Sequence, residues 1–460
     1  MLGGGPAGAA ASLLLAQWGH EVRLITRPAG HRALSVSIPP SCAKLFDAIG
    51  IRIAIERTGF LRSSGNTVWW GSAAARVEPF AGGMRGWHMD VGALAEVMLA
   101  EAIDAGVRIE RTTATAQDFK PDEEGALVLD CTGRAGVIAR AIGARQFDAG
   151  PRTVALVGEW RRQGAWAVPE PTHTLIESYD DGWMWSVESA DGARHIAAMI
   201  DPQRSDLARG APADGIYLTE IGKTRAFKSL TEGATLIAGP RGFDASPYRA
   251  AAYAGGSWLL VGDAGSFIDP LSSAGVQKAL ASAWLAAIAA HTALTDAAMR
   301  AAAFEFFSAR EREVEAQLSR EGRRFLADAA AGHARPFWDE RSGGIEPEPA
   351  VSEDVQRAFD AMKARDTWAP RVGPHTTIEP RACIRGNQIV LDRHVVSRDE
   401  PRGVRYVRGI DMVALIELAP GTRQVPELYE TYVQRMGSVS LPDFLFALAT
   451  AVARGWLVAE

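Results

Sequence analysis

The sequence is poor in cysteine, in basic runs and in long apolar stretches, and each shortage excludes a class of protein. Its three cysteines, Cys42, Cys131 and Cys383, lie far apart, which is typical of a reducing cytosol and matches no metal-site spacing. The net charge of −6 argues against a nucleic-acid partner. The apolar stretch 279–290 is too short to span a bilayer, and the glycine-rich start lacks the basic segment of a signal peptide. We therefore expect a cytoplasmic protein without metal, nucleic-acid or membrane partners.

The first residues, MLGGGPAGAAASLLLAQWGHEVRLITRP, have the glycine spacing of a dinucleotide-binding loop. Gly3, Gly5 and Gly8 stand in G-x-G-x-x-G spacing, before an apolar helix and a strand-like segment. Glycine lets backbone N–H groups and the helix dipole approach a pyrophosphate that a Cβ would hold away. Only Met1 and Leu2 precede the loop, so we expect that residues of the first strand are missing from this sequence.

Two later segments strengthen the prediction of a nucleotide site. The segment VLDCTGRAG places Asp130, Gly133 and Arg134 at the end of a strand, and LLVGDAGSFIDPLSSAGV places Gly262 and Asp263 at the end of another. In this order, the three motifs resemble the FAD-binding fold of the flavoprotein monooxygenases, a family that includes flavin-dependent halogenases and geranylgeranyl reductases. The resemblance covers roughly residues 1–330.

The resemblance implies an α/β protein with a Rossmann-like FAD-binding domain and an antiparallel β-sheet substrate domain. Turn signals at 180–182 and 191–192 separate alternating stretches and support the antiparallel sheet. A Pro/Gly-rich stretch then leads to two helices and a closing strand, which predict a small winged-helix-like α+β module. The predicted parts are the FAD-binding domain at 1–150 and 240–335, with 60–90 partly in the substrate layer, the antiparallel sheet at 151–239, a linker at 336–374 and the C-terminal module at 375–460.

The resemblance also implies the residues that bind FAD. Asp263 is expected to accept hydrogen bonds from ribityl or ribose hydroxyls, and the helix start after Pro270 is expected beside the flavin pyrimidine edge. Thr26, followed by Arg27, replaces the acidic residue that usually holds the adenosine ribose. The predicted cofactor-binding residues are Gly3, Gly5, Pro6, Ala7, Gly8, Thr26, Arg27, Gly133, Gly262, Asp263, Pro270, Ala274, Gly275 and Val276.

Two departures from the halogenase pattern favour hydroxylation over halogenation. No lysine lies between Arg52 and Gly71, and Asn66 stands near the position where tryptophan halogenases have their essential lysine. Ser272 stands where a glutamate accompanies that chemistry. The resemblance therefore implies hydroxylation through a flavin C4a-hydroperoxide, with O2 as co-substrate. The predicted catalytic residues are Asn66, Trp69, Ser272 and Ser273.

Within this family, the segments DPLSSAG, IPPS and GNTVWWG resemble bacterial flavoproteins that mature tryptophylquinone cofactors. That resemblance implies hydroxylation of a tryptophan inside a partner polypeptide. A small-molecule aromatic hydroxylase, a halogenase and an isoprenoid reductase stay open as alternatives, as does a flavoprotein that holds its substrate without turnover. The sequence has no second G-x-G-x-x-G, so reduction by transient NAD(P)H contact or by a partner flavin reductase is expected.

Four further residues are predicted to contact the substrate, namely Trp70, His88, Trp183 and Trp185. The tryptophans form either a platform under an indole ring or ordinary packing between sheets, and alternation puts Trp183 and Trp185 on one face. His88 forms either an acid–base pair with Asp90 or an ordinary strand end. The C-terminal module either grips a peptide segment or covers apolar surface as a structural lid.

Overall fold

The computed structural model describes residues 1–28, 34–119, 126–333, 335–343, 351–364 and 368–459. The chain divides into two compact units, Met1–Ile345 and Glu346–Glu460, which are described separately here. The first unit combines a nucleotide-binding layer with a large β-sheet. Its α/β architecture confirms the predicted fold class.

The nucleotide layer is a mainly parallel sheet, here named the nucleotide sheet. Arg23–Thr26 pairs in parallel with Arg108–Arg111, and Val128–Asp130 pairs in parallel with Trp258–Leu260. Leu2 joins these two pairs, because it bridges Ile25 on one side and Asp130 on the other. The two residues before the glycine loop thus occupy the inner strand position and feed the loop from the middle of the sheet. An antiparallel strand, Ala254–Gly255, adds to the Trp258 side.

Helices cover the nucleotide sheet and present their apolar faces to it. Pro6–Gln17 is buried along most of its length and packs against Val91–Asp104 and Gly275–Thr295. The longest described helix, Arg300–Ala330, follows and packs on Gly275–Thr295. The other described helices of this unit are Cys42–Ile49, Arg52–Arg57, Val137–Ala141, Ala213–Lys223, Ala226–Thr231 and Pro336–Asp339.

The large sheet has seven strands within the described residues. Every pair is antiparallel except His173–Tyr179 with Gly65–Trp69, which is parallel. The sheet therefore recruits segment 65–79 and extends past the predicted boundary at 239. In spatial order its strands are Ala234–Asp244, Val154–Arg162, Arg194–Ile200, Gly182–Glu188, His173–Tyr179, Gly65–Trp69 and Arg76–Pro79.

Two small antiparallel sheets complete the first unit. In one, Gly86–Asp90 lies between Ser35–Ile38 and Leu61–Ser63. In the other, Tyr248–Ala250 lies between Ser266–Phe267 and Arg145–Phe147. The second of these fixes the chain on either side of the Gly262–Asp263 turn.

The second unit has its own hydrophobic core, built around Trp368, Leu415, Tyr432, Phe444 and Trp456. The segment 336–374, predicted as a linker, contains the helices Pro336–Asp339 and Val351–Lys363. Trp338 is buried in a core of the first unit, and Trp368 in the core of the second. The winged-helix character of the module stays a prediction. The described elements are the helices Val351–Lys363, Met412–Leu418, Val425–Met436 and Leu441–Ala453, and the paired strands Pro370–Val372 with Leu457–Ala459, Thr377–Arg385 with Gln388–Val396, and Tyr406–Val407 with Ile410–Asp411.

In the part of the chain that the structure describes, no single helix is both long and apolar enough to cross a membrane. Val425–Met436 and Leu441–Ala453 reach that threshold only when taken together, and a bend of 110° separates them.

Candidate functional site

A cavity of about 390 Å³ lies between the nucleotide layer and one face of the large sheet. One end is lined by the glycine loop and the Gly262–Asp263 turn, and the other end by apolar side chains of the sheet. Segment 268–279 closes one wall. All of these lining residues belong to the first unit.

The glycine loop fits a pyrophosphate because its backbone is tightly packed on one side and open on the other. Gly3 has φ of +93°, and a Cβ there would lie 2.4 Å from the carbonyl oxygen of Cys131. A Cβ at Gly8 would lie 1.8 Å from the Gly3 carbonyl oxygen, whereas nothing lies within 4 Å of a Cβ at Gly5. Gly5, Pro6 and Ala7 line the cavity. The first helix begins at Pro6 with no side-chain cap, so its positive end is available to an anion.

Thr26 lies beneath the glycine loop rather than at the cavity. It is buried, and its Oγ1 would lie 2.4 Å from a Cβ at Gly4. Arg27, the next residue, is exposed. Neither residue lines the cavity. Their predicted contact with the ribose therefore stays a prediction.

The second and third motifs meet at the same end of the cavity. Val261 N–H donates to the carbonyl of Asp130 at 2.9 Å, which ties the two strand ends together. Asp130 itself is buried and accepts hydrogen bonds from Thr132 and from the Ile138 N–H, so it holds its own loop. Gly133, Arg134 and Asp263 line the cavity, and Gly262, with φ of +61°, makes the turn that brings Asp263 there. Asp263 is thus the carboxylate of these motifs that can accept hydrogen bonds from a bound flavin's hydroxyls.

The segment after this turn forms a wall of the cavity. Pro270, Ser273, Gly275 and Val276 line it, whereas Ala274 does not. Ser273 adopts the left-handed conformation with φ of +49°, which a residue with a side chain rarely adopts and which is typical of functional loops. Asp269 caps the short turn by accepting from Leu271 N–H at 3.0 Å, and burial raises its pKa to about 6. The side chain of Ser272 is outside the described part of the structure, so its catalytic role stays a prediction.

Two tryptophans of one strand form the apolar end of the cavity. Trp183 and Trp185 both line it, because successive odd positions of Gly182–Glu188 point to the same face. Trp183 is 1% exposed. The indole N–H of Trp185 is buried and has no hydrogen-bond partner among the described residues, so a donor is left for a ligand or a water.

Trp69 and Asn66 lie outside this cavity. Trp69 points to the opposite face of the sheet, where it lines a separate cleft with Leu175 and Phe227. Asn66 lies beside Thr174 on the next strand outward and does not line the cavity. Neither of these two predicted catalytic side chains lines the cavity, which corrects their predicted placement. Trp69 is at an odd position of its strand and faces the opposite side of the sheet, and Asn66 lies one strand beyond Thr174.

Trp70 supports the cavity from behind. It is buried, packs edge-to-face on Trp183 with ring centroids 6.2 Å apart, and packs on Trp338 at 5.5 Å. Its indole N–H donates to the carbonyl of Phe325 at 2.7 Å. Trp70 therefore fixes the position of Trp183 and does not itself line the cavity.

His88 also lies one layer behind the cavity. It is buried, and its Nε2 is 3.2 Å from Oγ1 of Thr174, which lines the cavity. Burial, with the nearby charge of Arg194, lowers the pKa of His88 to about 3. Asp90 caps the helix Val91–Asp104 through the Ala93 N–H. These contacts do not form the predicted acid–base pair, because the imidazole stays neutral and the carboxylate is committed to the helix.

Several lining residues were not singled out in the sequence. Met199 lies opposite Trp183 on the neighbouring strand, and Phe243 reaches the cavity from the edge strand. Arg134, which the second motif already named, also lines the cavity; it contacts the Phe267 ring at 4.2 Å and pairs with Asp244 at 2.9 Å. The alternation of side chains along each strand shows which residues share a face of that strand. Which of these faces line the same cavity depends on the order of the strands in the sheet, which the sequence does not reveal.

No family model matches the chain. Curated relatives include tryptophan 2-halogenase of Chondromyces crocatus, 28% identical over 342 residues that make up 67% of this chain and 63% of the relative. The flavin-dependent halogenase armH3 of Armillaria mellea is 25% identical over 323 residues, 61% of this chain and 64% of the relative. The chain thus matches less than two-thirds of the length of these relatives.

Solved structures share the fold over most or all of the chain. The alignment with CmlS, a flavin-dependent halogenase, spans 100% of this chain and 95% of the CmlS chain, with a TM-score of 0.78 and 19% identity. The peptidyl tryptophan dihydroxylase QhpG, described as essential for tryptophylquinone cofactor biogenesis, covers 99% of this chain and is covered over 98%, with a TM-score of 0.65 and 20% identity. The chondrochloren halogenase CndH covers 79% and is covered over 88%, with a TM-score of 0.67 and 22% identity. The chain is therefore similar in sequence to flavin-dependent halogenases and shares their fold.

Proposed function

We propose that this protein is an FAD-dependent monooxygenase that hydroxylates an aromatic ring, and that its substrate is a tryptophan in a partner polypeptide. The observation that carries the proposal is the composition of the cavity. Apart from Thr174 and Asp244, the large-sheet side chains that line it are aromatic or aliphatic, and no lysine is among the described lining residues. An indole fits such a surface by stacking and apolar contact.

The described residues fit a flavin at the other end. The glycine loop and first helix would hold the pyrophosphate, and Asp263 would hold hydroxyls of the ribityl chain. The start of Gly275–Thr295 lies along the same cavity, where helix N–H groups favour negative charge. When reduced and bound, the flavin would supply the electrons that activate O2, and the apolar sheet would exclude water from the reacting ring.

The polypeptide substrate rests on the similarity to QhpG. That structure and this chain cover each other almost completely, including the region of the second unit. CmlS also covers the whole chain, so the presence of a C-terminal unit does not by itself select a peptide substrate. A partner flavin reductase or transient NAD(P)H contact would provide the electrons.

Halogenation is the second candidate, because the curated relatives named above are halogenases. Against it stands the absence of lysine among the described residues that line the cavity, since an amine is what would hold and direct an oxidised halogen. The two functions require different residues at the sheet end and give different products.

The deciding experiment is an aerobic reaction of the reduced, flavin-loaded protein with a tryptophan-containing peptide and with free tryptophan. Each reaction is run with isotope-labelled O2 and with chloride and bromide present, and the products are analysed by mass spectrometry. Incorporation of one or two labelled oxygen atoms is expected, with the peptide preferred. Replacement of a ring hydrogen by halogen would support the second candidate, and a protein that binds flavin but leaves every substrate unchanged would contradict both.

A further inference from the structure

The Gly262–Asp263 turn rests on two charged side chains that are buried beneath it. Lys278 and Glu311 are each 3% exposed, and neither lines the cavity. Removing a charged group from water is costly unless partners compensate for it. Both of these buried charged groups lie next to the turn that carries the Asp263 carboxylate.

Lys278 holds the Asp263 side of the turn. Its Nζ donates to the carbonyl of Ser266 at 2.6 Å and lies 3.4 Å from Oδ1 of Asp263. Asp263 lines the cavity while the ammonium group approaches it from the protein interior. A fixed cation at this distance restricts the rotamers of the carboxylate.

Glu311 holds the other residue of the turn through a hydroxyl. Gly262 N–H donates to Oγ of Ser282 at 2.8 Å, and Ser282 in turn hydrogen-bonds to Glu311. The second carboxylate oxygen, Oε2, is buried and has no partner among the described residues. Glu311 also interacts electrostatically with Lys278, so both residues of the turn are connected to one buried network.

We propose that Lys278 and Glu311 are positioning residues that hold the Gly262–Asp263 turn in the conformation that binds the flavin. This inference rests on the proposed flavin site. Lys278 orients the Asp263 carboxylate, and Glu311 sets how strongly Lys278 is drawn toward Asp263. Neither residue touches the cavity, so both act through the turn.

The network predicts that flavin affinity depends on pH. Burial raises the pKa of Glu311 to about 7, and the charge of Lys278 opposes this rise. Tyr253 also interacts electrostatically with Glu311, and with Glu315 one turn along the same helix. While Glu311 is neutral, Lys278 attracts Asp263 alone. Once Glu311 ionises it competes for the ammonium group, so flavin binding is expected to weaken as pH rises through about 7.

The test measures the Kd for FAD across this pH range by fluorescence titration of the flavin-free protein, together with its Tm. Lys278→Met is expected to raise Kd by roughly tenfold or more, because the carboxylate loses a charge-assisted partner. Glu311→Gln keeps the shape of the side chain and is expected to remove the rise in Kd above pH 7. Glu315→Gln is the matched control, because Glu315 lies on the same helix and accepts instead from Ser319, and it should leave the profile unchanged.

The inference is supported if the Kd for FAD depends on pH in the wild type and in Glu315→Gln but not in Glu311→Gln. This outcome supports it whether or not Lys278→Met yields folded protein. The inference is overturned if Glu311→Gln retains the wild-type profile, or if folded Lys278→Met binds FAD as tightly as the wild type. In both of those cases wild-type FAD binding leaves the proposed function intact. If the wild-type chain binds no flavin at any pH, the proposed function fails together with the inference.

Discussion

The two ends of the cavity are built on different principles. At the nucleotide end, the chain presents backbone N–H groups, glycines, Arg134 and the Asp263 carboxylate, which belong to short contiguous motifs. At the sheet end, it presents side chains from five strands, which lie far apart in the sequence. A backbone site tolerates almost no added atom, whereas a side-chain surface tolerates substitution and determines which ring fits. Cofactor binding should therefore be fragile at the first end, and substrate choice adjustable at the second.

The largest expected effect comes from adding one methyl group to the glycine loop. In Gly8→Ala the new Cβ would lie 1.8 Å from the Gly3 carbonyl oxygen, so the loop must move. We expect loss of bound flavin and a fall in the free energy of unfolding of about 1–3 kcal/mol. The measurements are the visible absorbance of the purified protein and its denaturant unfolding.

Gly5→Ala is the control that separates the two effects. Its Cβ meets nothing within 4 Å and its backbone φ is −69°, so folding should be unaffected. Because Gly5 lines the cavity, the added methyl group should still weaken flavin binding. Equal flavin affinity in Gly5→Ala and the wild type would contradict the assignment of this end to the pyrophosphate.

Aromatic substitutions should affect substrate oxidation without removing flavin. Trp183→Phe and Trp185→Phe alter the surface that faces the substrate, and we expect kcat/KM for the aromatic substrate to fall roughly ten- to a hundred-fold. Trp69→Phe is the matched control, since Trp69 lies on the opposite face of the same sheet. An equal loss in Trp69→Phe would mean that the cleft behind the sheet, not the cavity, accepts the ring.

Local sequence motifs predict the nucleotide end of the cavity better than the sheet end. The glycine loop and the Gly262–Asp263 turn were predictable, because a close backbone approach demands glycine at fixed spacing wherever it occurs. Trp69 was misplaced because a shift of one residue along a strand reverses the face, and the strand partner decides it. Met199, Phe243, Lys278 and Glu311 had no local signal, since their significance depends on which distant elements pack together.

Removing the second unit should have a smaller effect, on binding of large substrates only. A chain ending at Ile345 retains every described residue of the cavity and all three flavin motifs. We expect it to bind FAD and free tryptophan as the full chain does, and to bind a partner polypeptide roughly tenfold more weakly, because a second contact has been removed. Flavin content and peptide affinity are the measurements. If the shortened chain binds peptide as tightly as the full chain, the second unit has no role in recognition, and if no flavin-bound protein is recovered, its role is structural.

The smallest expected effect concerns His88, which lies behind Thr174 and does not line the cavity. Burial and the charge of Arg194 lower its pKa to about 3, so the folded protein keeps the imidazole neutral while the unfolded chain binds a proton below its usual pKa near 6.5. The free energy of unfolding therefore falls as pH decreases from about 6.5, by about 1 kcal/mol at one pH unit below that value. His88→Gln can still reach Oγ1 of Thr174 but cannot be protonated, so it should lose this part of the pH dependence. Denaturant unfolding of both proteins at neutral and mildly acidic pH measures the difference.

If instead the reaction rate of the wild type shows an imidazole transition near pH 6.5 that His88→Gln abolishes, His88 takes part in proton transfer and is not a neutral support for Thr174.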